Sequence, residues 1–103
     1  MRKNRFRSDM IESFACKETE ALWARRRSRV DSTIAARAFD KLMLLNYAAD
    51  IEFLRFPPSH HLEKLTGNRA GQYSIRINQR WRLCFTWDAT AASASNVEIT
   101  DYH

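Results

Sequence analysis

The stretch "GQYSIRINQRWRLCFTW", residues 71–87, alternates apolar and polar side chains in two runs, with a short polar break between them. Alternation with a period of two is typical of a β-strand that buries one face. The apolar members are Tyr73, Ile75 and Ile77 in the first run and Trp81, Leu83, Phe85 and Trp87 in the second. The stretch therefore predicts a β-hairpin with one face against a core.

The length of the break determines how the two strands pair. A two-residue turn would place an arginine opposite Ile77 and mix apolar with charged side chains on one face. A three-residue loop over residues 78–80 leaves one face wholly apolar. We therefore expect the second register, whose pairs are Ile77 with Trp81, Ile75 with Leu83, and Arg76 with Arg82.

This register makes two arginines direct cross-strand neighbours. Like charges in that position destabilise a sheet by roughly several tenths of a kcal/mol. Two explanations are open from the pattern alone. Either an anion binds between Arg76 and Arg82, or the two side chains splay into water from an exposed face.

Two helices are predicted before the hairpin. A short strand around residues 11–14 precedes a helix from about Lys17, and residues 30–54 carry the strongest helical pattern, with Asp31 or Ser28 as candidate caps. Its apolar positions are Val30, Ile34, Ala38, Leu42, Leu45 and Ala49.

Pro57 and Pro58 end the helical half, because proline cannot continue a helix. A loop then leads to the hairpin, and a last strand is predicted over residues 96–100. The predicted fold class is α+β, a small antiparallel β-sheet with an N-terminal helical hairpin packed on one face.

The chain has 103 residues, which suits a single domain with one modest core. No apolar run is long enough to span a bilayer, and the N-terminus has no signal-peptide core, so the expected location is cytoplasmic. Cys16 and Cys84 lie far apart in apolar surroundings and are expected to be small buried side chains, with no metal site.

The net charge of +5 suits a polyanionic partner such as nucleic acid. Residues 1–29 hold nine Lys/Arg and four Asp/Glu, so this segment carries the whole excess. A solvated basic tail explains "RKNRFR" more simply than a binding site does. We expect residues 1–9 to be a flexible extension and residues 10–103 to form one domain, starting at Met10.

If the anion on the arginine face is an RNA phosphodiester, cleavage needs a base, an acid and cations near the phosphorus. Arg82 and Arg76 suit the cationic role, because a guanidinium stays charged and grips phosphate oxygens. His103 is the best proton carrier near neutral pH. The loop before the hairpin supplies further groups that can reach over the sheet face: His60, His61, Lys64 and Arg69. None of these signals is specific alone.

Three segments together resemble the HigB branch of the RelE-type toxins, also called plasmid-maintenance killer proteins. They are "MIESFACKETEALW", "LEKLTGNRAGQYSIRINQRWRLCFTW" and "VEITDYH", and the resemblance covers Met10 to His103. It implies a RelE-like sheet with helices on one face. It also implies a toxin that cleaves mRNA in the ribosomal A site, without metal or organic cofactor.

The resemblance also implies partners and residue roles. The partners would be the ribosome, its mRNA and a helix-turn-helix, HigA-like antitoxin that represses the operon, so that DNA is met only through the antitoxin. Arg82 would lie at the scissile phosphate, with Tyr102 and His103 lining the site. The residues expected to contact RNA are Asn68, Arg69, Gln72 and Arg76.

One departure concerns the general base. Many relatives have lysine where this chain has Thr66, and a threonine cannot accept a proton near neutral pH. Lys64 could take over that role, or His103 could act as the base.

Two other functions stay open: a poison of the gyrase-targeting type, and an RNA- or antitoxin-binding protein without cleavage. The terminal "DYH" favours the endoribonuclease, because the gyrase-targeting relatives lack that Tyr-His pair.

Overall fold

The alternating stretch forms the middle of a four-stranded antiparallel sheet in the computed structural model, which describes residues 10–101. The strands follow one another in chain order across the sheet. They are β1 (Glu63–Lys64), β2 (Gln72–Arg76), β3 (Trp81–Asp88) and β4 (Ser93–Asp101). The fold is therefore α+β, as predicted.

The predicted register of the hairpin is confirmed. Arg76 pairs with Arg82, and Ile75 pairs with Leu83. The Ile77 N–H donates to the Trp81 carbonyl at 2.8 Å, which closes a loop over residues 78–80. Within that loop the Asn78 side chain accepts from the backbone N–H groups of residues 80 and 81, each at 2.8 Å.

Two helices pack against one face of the sheet. Helix α1 covers Lys17–Trp23 and helix α2 covers Ala35–Tyr47. The two helices contact each other, and the rings of Trp23 and Phe39 lie 5.5 Å apart between centroids. The Thr19 hydroxyl accepts from the Ile99 N–H at 3.1 Å and so fixes α1 on β4.

Helix α2 is shorter than the predicted span of residues 30–54. At its start, the Asp31 carboxylate accepts from the Thr33 N–H at 2.9 Å, a local turn that competes with helix formation. At its end, Ala48 is extended, and the Asp50 carboxylate caps a separate 3₁₀ turn over Ile51–Arg55. The predicted caps were wrong, since Ile34 occupies the cap position and no side chain caps the helix.

The core lies between α2 and the apolar side of the sheet. Its buried members include most of the residues predicted from the two alternating runs and from the helical pattern. Ala48 is buried where Ala49 was predicted, because the backbone leaves the helix at this point. The fully buried large side chains of this core are Ile34, Leu42, Leu45, Leu54, Ile75, Leu83, Phe85 and Val97.

The predicted N-terminal strand is present only as two isolated parallel bridges to β4. Ile11 bridges to Ala94 and Phe14 to Val97. The reason lies in β4, which is longer than predicted and carries an irregularity opposite residues 84–86, with Asn96 at a φ of +53°. At Asn96, between the two bridged residues of β4, the backbone leaves the extended conformation, and this interrupts the pairing with the N-terminal segment.

The connection from α2 to β2 runs through irregular backbone that positions the polar side of the sheet. A cis Phe56–Pro57 bond and a 3₁₀ turn, Pro58–His60, follow the helical half. His61 adopts a left-handed φ of +46° before β1, and another 3₁₀ turn, Gly67–Arg69, precedes β2. The two prolines thus lie where the regular helical segments have already ended.

Among residues 10–101, no helix combines the length and apolarity that a bilayer crossing requires. Both cysteines are free; Cys84 is buried as predicted, and Cys16 is half-buried.

Residues 1–9 lie outside the described range, so their predicted role as an extension, and the boundary at residue 10, stay predictions.

The fold makes a stability prediction for α2. Leu42→Ala removes a side chain with no solvent exposure and should lower the free energy of unfolding by about 2–5 kcal/mol. Tyr47→Ala, on the exposed end of the same helix, should change it by less than about 0.5 kcal/mol. Urea denaturation followed by circular dichroism measures both. Equal losses would show that α2 does not pack as described.

Candidate functional site

The side of the sheet opposite the helices carries three of the predicted site residues, Gln72, Arg76 and Arg82, and we call it the polar face. Cross-strand partners point to the same side of a sheet, so the pairings define this face. The pairings include Arg76 with Arg82, Cys84 with Glu98, and Glu63 with Ser74. The polar face comprises Glu63, Gln72, Ser74, Arg76, Arg82, Cys84, Thr86, Glu98 and Thr100.

Arg82 is buried in the middle of the polar face, with 6% of its surface exposed. Its Nε donates to the Ser74 hydroxyl at 2.8 Å, and its Nη2 donates to the His61 carbonyl at 2.7 Å. Of the two explanations left open by the sequence, splaying into water is therefore wrong for Arg82. Protein acceptors hold this guanidinium in one orientation, which offsets the cost of its charge.

The carboxylate beside Arg82 belongs to Glu63, whose Oε1 lies 3.8 Å from Nη2. Sequence reasoning singled out the next residue instead. Lys64 pairs with Tyr73, whose ring lies 6.3 Å from that of the core residue Phe85, so Lys64 belongs to the helix-facing side of β1. A strand of only two residues shows no alternation of apolar and polar side chains, so the sequence does not indicate which side of the sheet each residue faces.

Arg69 extends across the polar face from the 3₁₀ turn before β2. Its Nη1 donates to the Gln72 side chain at 2.9 Å, and its Nη2 forms an ion pair with Glu98 on β4 at 3.1 Å. The structure thus brings two predicted RNA-contacting residues into contact with each other. Asn68 is exposed in the same turn, and so is Thr66 just before it.

Burial raises the pKa of the Cys84 thiol above its usual value, partly opposed by the neighbouring Thr100 hydroxyl and by Arg69. Cys84 is fully buried beneath this face. A thiol in that environment stays protonated and is a poor nucleophile or metal ligand. Within residues 10–101, no group of three His, Cys, Asp or Glu side chains is arranged to hold a metal ion.

Arg76 lies across from Arg82 but in different surroundings. It is half-buried and lines a pocket of about 370 Å³ at the end of β2. The other lining residues are Arg37, Lys41, Ser59, Ile77, Asn78 and Gln79. Within residues 10–101, no carboxylate lies within ion-pair distance of Arg76.

His60 is fully buried, which sequence reasoning did not anticipate for a loop histidine. Its Nδ1 lies 3.0 Å from the Leu54 carbonyl, and its Nε2 lies 2.9 Å from the Lys41 Nζ. A carbonyl only accepts, so Nδ1 carries the proton and Nε2 accepts from the ammonium. Burial lowers the pKa of His60, with Lys41 acting in the same direction against the hydrogen bond to Leu54.

Tyr102 and His103 lie outside the described residues, so their predicted roles are untested by the geometry. The strand that precedes them, β4, ends at Asp101. Asp101 pairs with Trp81, the residue before Arg82, and its carboxylate accepts from Arg80 Nη2 at 2.7 Å.

A sequence model of the family described as "RelE-like toxin of type II toxin-antitoxin system HigB" matches residues 4–103. The chain belongs to this HigB-like toxin family. The match covers both the alternating stretch and the terminal "DYH", which carried the resemblance seen in the sequence.

Individual relatives agree with this assignment. The chain is 40% identical over 63 residues to Toxin HigB-1 of Vibrio cholerae, an alignment that spans 61% of this chain and 66%, just under two thirds, of that toxin. It is 27% identical over 88 residues to an uncharacterized protein of Haemophilus influenzae, covering 85% of this chain and 81% of that one.

Among solved structures, the chain is similar to one in the YoeB-YefM complex from Staphylococcus aureus. The TM-score is 0.57, with 90% of this chain and 94% of that chain covered, at 22% sequence identity. At this identity the likeness concerns the fold, and it supports the RelE-like architecture of this HigB-like chain.

The buried His60 makes a testable prediction about pH. Unfolded histidine binds a proton below about pH 6.5, whereas folded His60 resists protonation because its pKa is lowered. The unfolded state therefore binds more protons in that range, and stability should fall as the pH drops through about 6.5. Urea unfolding at several values between pH 8 and pH 5.5 measures this loss.

The matched variant is His60→Gln, which keeps an amide able to donate and accept but does not titrate. It should be less stable than the parent at pH 8 and should lose less stability on acidification. Lys41 and the Leu54 carbonyl are the groups that face the ring, and both are retained in the variant. Identical pH slopes for the two proteins would contradict the prediction.

Proposed function

We propose that this chain is the toxin of a type II toxin–antitoxin pair that inhibits translation by cleaving mRNA in the ribosomal A site without a metal ion. The observation that carries the proposal is the guanidinium of Arg82, held in one orientation on the polar face of a HigB-like chain. A preorganised cation of this kind is what stabilisation of a charged transition state requires.

The reaction needs three functions around one phosphodiester. A base removes the proton of the 2′-hydroxyl, the 2′-oxygen then attacks phosphorus, and an acid protonates the departing 5′-oxygen. Negative charge builds on the phosphorane oxygens between these steps. Arg82 is proposed to stabilise that charge, because its orientation is set before RNA binds.

The proton-transfer roles are proposed for Glu63, Lys64 and His103. Glu63 joins the candidates for the base, because its carboxylate lies on the polar face beside Arg82 and a positioned carboxylate can act as a general base. Lys64 remains the sequence-based candidate for the same role. His103 is proposed as the second proton carrier, and Tyr102 as a residue that stacks on a base or orients the phosphate.

The remaining polar-face residues are proposed to bind the RNA strand. Arg76 offers a guanidinium without a described carboxylate partner. Arg69 and Gln72 are held together at the opposite end of β2, with Asn68 exposed beside them. RNA that contacts all four would run along β2.

Ribosome dependence and an antitoxin partner complete the proposal. The site offers few strong acid–base groups, so correct positioning of mRNA by the ribosome is proposed to supply part of the rate. The similar chain of S. aureus was solved in a complex named YoeB-YefM. We propose a helix-turn-helix, HigA-like antitoxin as the partner here, with DNA contacted only through it and the complex located in the cytoplasm.

The central prediction concerns Arg82. Arg82→Gln should reduce A-site cleavage by about 100-fold or more, the usual effect of removing a charge-stabilising donor. Toeprinting of a defined mRNA on programmed ribosomes and of the same mRNA alone measures it, with His103→Ala run beside it. Arg27→Gln, an exposed arginine after α1, is the control for loss of one positive charge.

Cuts that need ribosomes, fall at A-site codons and disappear in the Arg82 and His103 variants would support the enzyme. Thermal unfolding of Arg82→Gln separates a catalytic loss from misfolding, because Ser74 would lose a buried hydrogen bond and Glu63 would lose an ion pair. Intact mRNA in every lane, with a folded parent protein, would contradict cleavage and favour a non-cleaving member of the fold.

A second experiment compares neighbours on opposite sides of β1. If Glu63 is the base, Glu63→Gln should lower single-turnover cleavage on the ribosome at least about tenfold, and Lys64→Gln should leave it within about threefold. The reverse pattern would assign the base to Lys64. Equal, small effects would exclude both residues and leave His103 as the candidate.

A further inference from the structure

The pocket at the end of β2 gathers positive charge from two different elements. Arg37 and Lys41 come from α2, and Arg76 comes from β2. Ser59, Asn78 and Gln79 add neutral polar side chains to the lining. Within residues 10–101, none of the three cations has a carboxylate within 4.0 Å.

On the helix side of this pocket two positive charges are neighbours, as Arg76 and Arg82 are on the sheet. Arg37 and Lys41 are four residues apart on α2 and therefore neighbours on one helix face. Like charges at this spacing destabilise a helix. Burial lowers the pKa of Lys41, Arg37 lowers it further, and Asp40 opposes both.

Each of the two helical cations donates a hydrogen bond to another part of the fold. Lys41 Nζ donates to the buried His60 ring, whose other nitrogen is fixed by the Leu54 carbonyl. Arg37 Nη1 donates to the Ile77 carbonyl at 3.4 Å, next to Arg76. Cations whose positions are set in advance lose less entropy when an anion binds.

The pocket continues from the proposed cleavage site. Arg76 and Arg82 are paired residues on neighbouring strands, which places their backbones roughly 5 Å apart. β1 pairs only with Tyr73 and Ser74, so within the described residues no strand covers β2 beside Arg76. A strand of RNA that leaves Arg82 over Arg76 therefore meets the pocket next.

We propose that Arg37, Lys41 and Arg76 form a second phosphate subsite, which binds an RNA phosphate adjacent to the strand held at Arg82. The inference rests on the proposed function, since it takes RNA as the ligand. Two guanidinium groups and one ammonium match the oxygens of a phosphate. RNA carries such a group on each nucleotide, so one chain can occupy both sites.

An acidic protein segment is the competing occupant of a basic pocket. Continuity with Arg82 favours RNA, because the ligand that reaches the pocket would be the one already bound at the proposed cleavage site. The RNA phosphate has two sources on a ribosome, the mRNA and the ribosomal RNA, and the experiment has an arm for each.

The test measures binding as a function of salt for the full chain. One arm uses a fluorescent single-stranded RNA oligonucleotide, and the other uses vacant ribosomes without mRNA. Arg37→Gln/Lys41→Gln should weaken binding at least about tenfold and reduce the magnitude of the log–log salt slope by about 0.7 on single-stranded RNA, the value for one phosphate. Arg37→Lys/Lys41→Arg keeps both charges and should retain the slope.

Lys17→Gln/Arg27→Gln is the matched control, since it removes one lysine and one arginine outside the pocket. Arg37→Gln alone, at an exposed position, guards against misfolding caused by loss of the Lys41–His60 contact. An effect in the oligonucleotide arm assigns the phosphate to mRNA. An effect only with vacant ribosomes assigns it to ribosomal RNA.

Equal losses in the pocket variant and the matched control would overturn the proposal, and so would unchanged binding in both arms. A loss confined to antitoxin affinity would assign the pocket to an acidic protein segment and would also overturn it. Toeprinting of the same proteins keeps the two ideas separate. Cleavage without a pocket effect refutes the subsite alone, whereas a pocket effect without cleavage refutes the enzyme alone.

Discussion

The burial of the Arg82 guanidinium is the constraint on which the polar face depends. A buried charge without partners is strongly destabilising, so the surrounding backbone must bring acceptors to it. Here they come from β2, from β1 and from the His61 carbonyl, whose residue adopts a left-handed backbone conformation. One side chain thereby ties the irregular connection after α2 to the centre of the sheet.

Arg82 and Arg76 are neighbours in different electrostatic surroundings, and this difference divides the polar face into two zones. Arg82 is surrounded by protein acceptors, so its position changes little when a ligand arrives. Arg76 opens onto a pocket that already contains two more cations. A rigid charge suits stabilisation of a transition state, whereas an uncompensated cluster suits binding of an anion.

Sequence reasoning predicted the elements that alternate or repeat. The hairpin register followed from keeping Ile75 and Ile77 on the same side as Leu83, because a slip of one residue would expose all of them. The start of α1 at Lys17 was also correct. The N-terminal end of α2 was missed because Asp31 bonds to the backbone of residue 33, a local alternative that hydrophobic periodicity does not report.

The site was predicted in its residue types more than in its contacts. Arg82 and Arg76 were placed on one face correctly, yet Glu63 was missed because β1 is too short to show a pattern. The burial of His60 could not be read from "PPSHH", since it depends on Lys41 and Leu54, which are distant in sequence. Contacts made by irregular backbone depend on the tertiary structure.

The bridges between the N-terminal segment and β4 have a consequence for synthesis of the chain. The Glu12 N–H donates to the Ala94 carbonyl at 2.7 Å, and the Ala15 N–H donates to the Val97 carbonyl at 3.0 Å. These bonds join residues about 80 positions apart, so they form only after the last strand exists. The segment before α1 therefore docks only once β4 has been made, and the polar face, to which β4 contributes Glu98 and Thr100, is completed at the same stage.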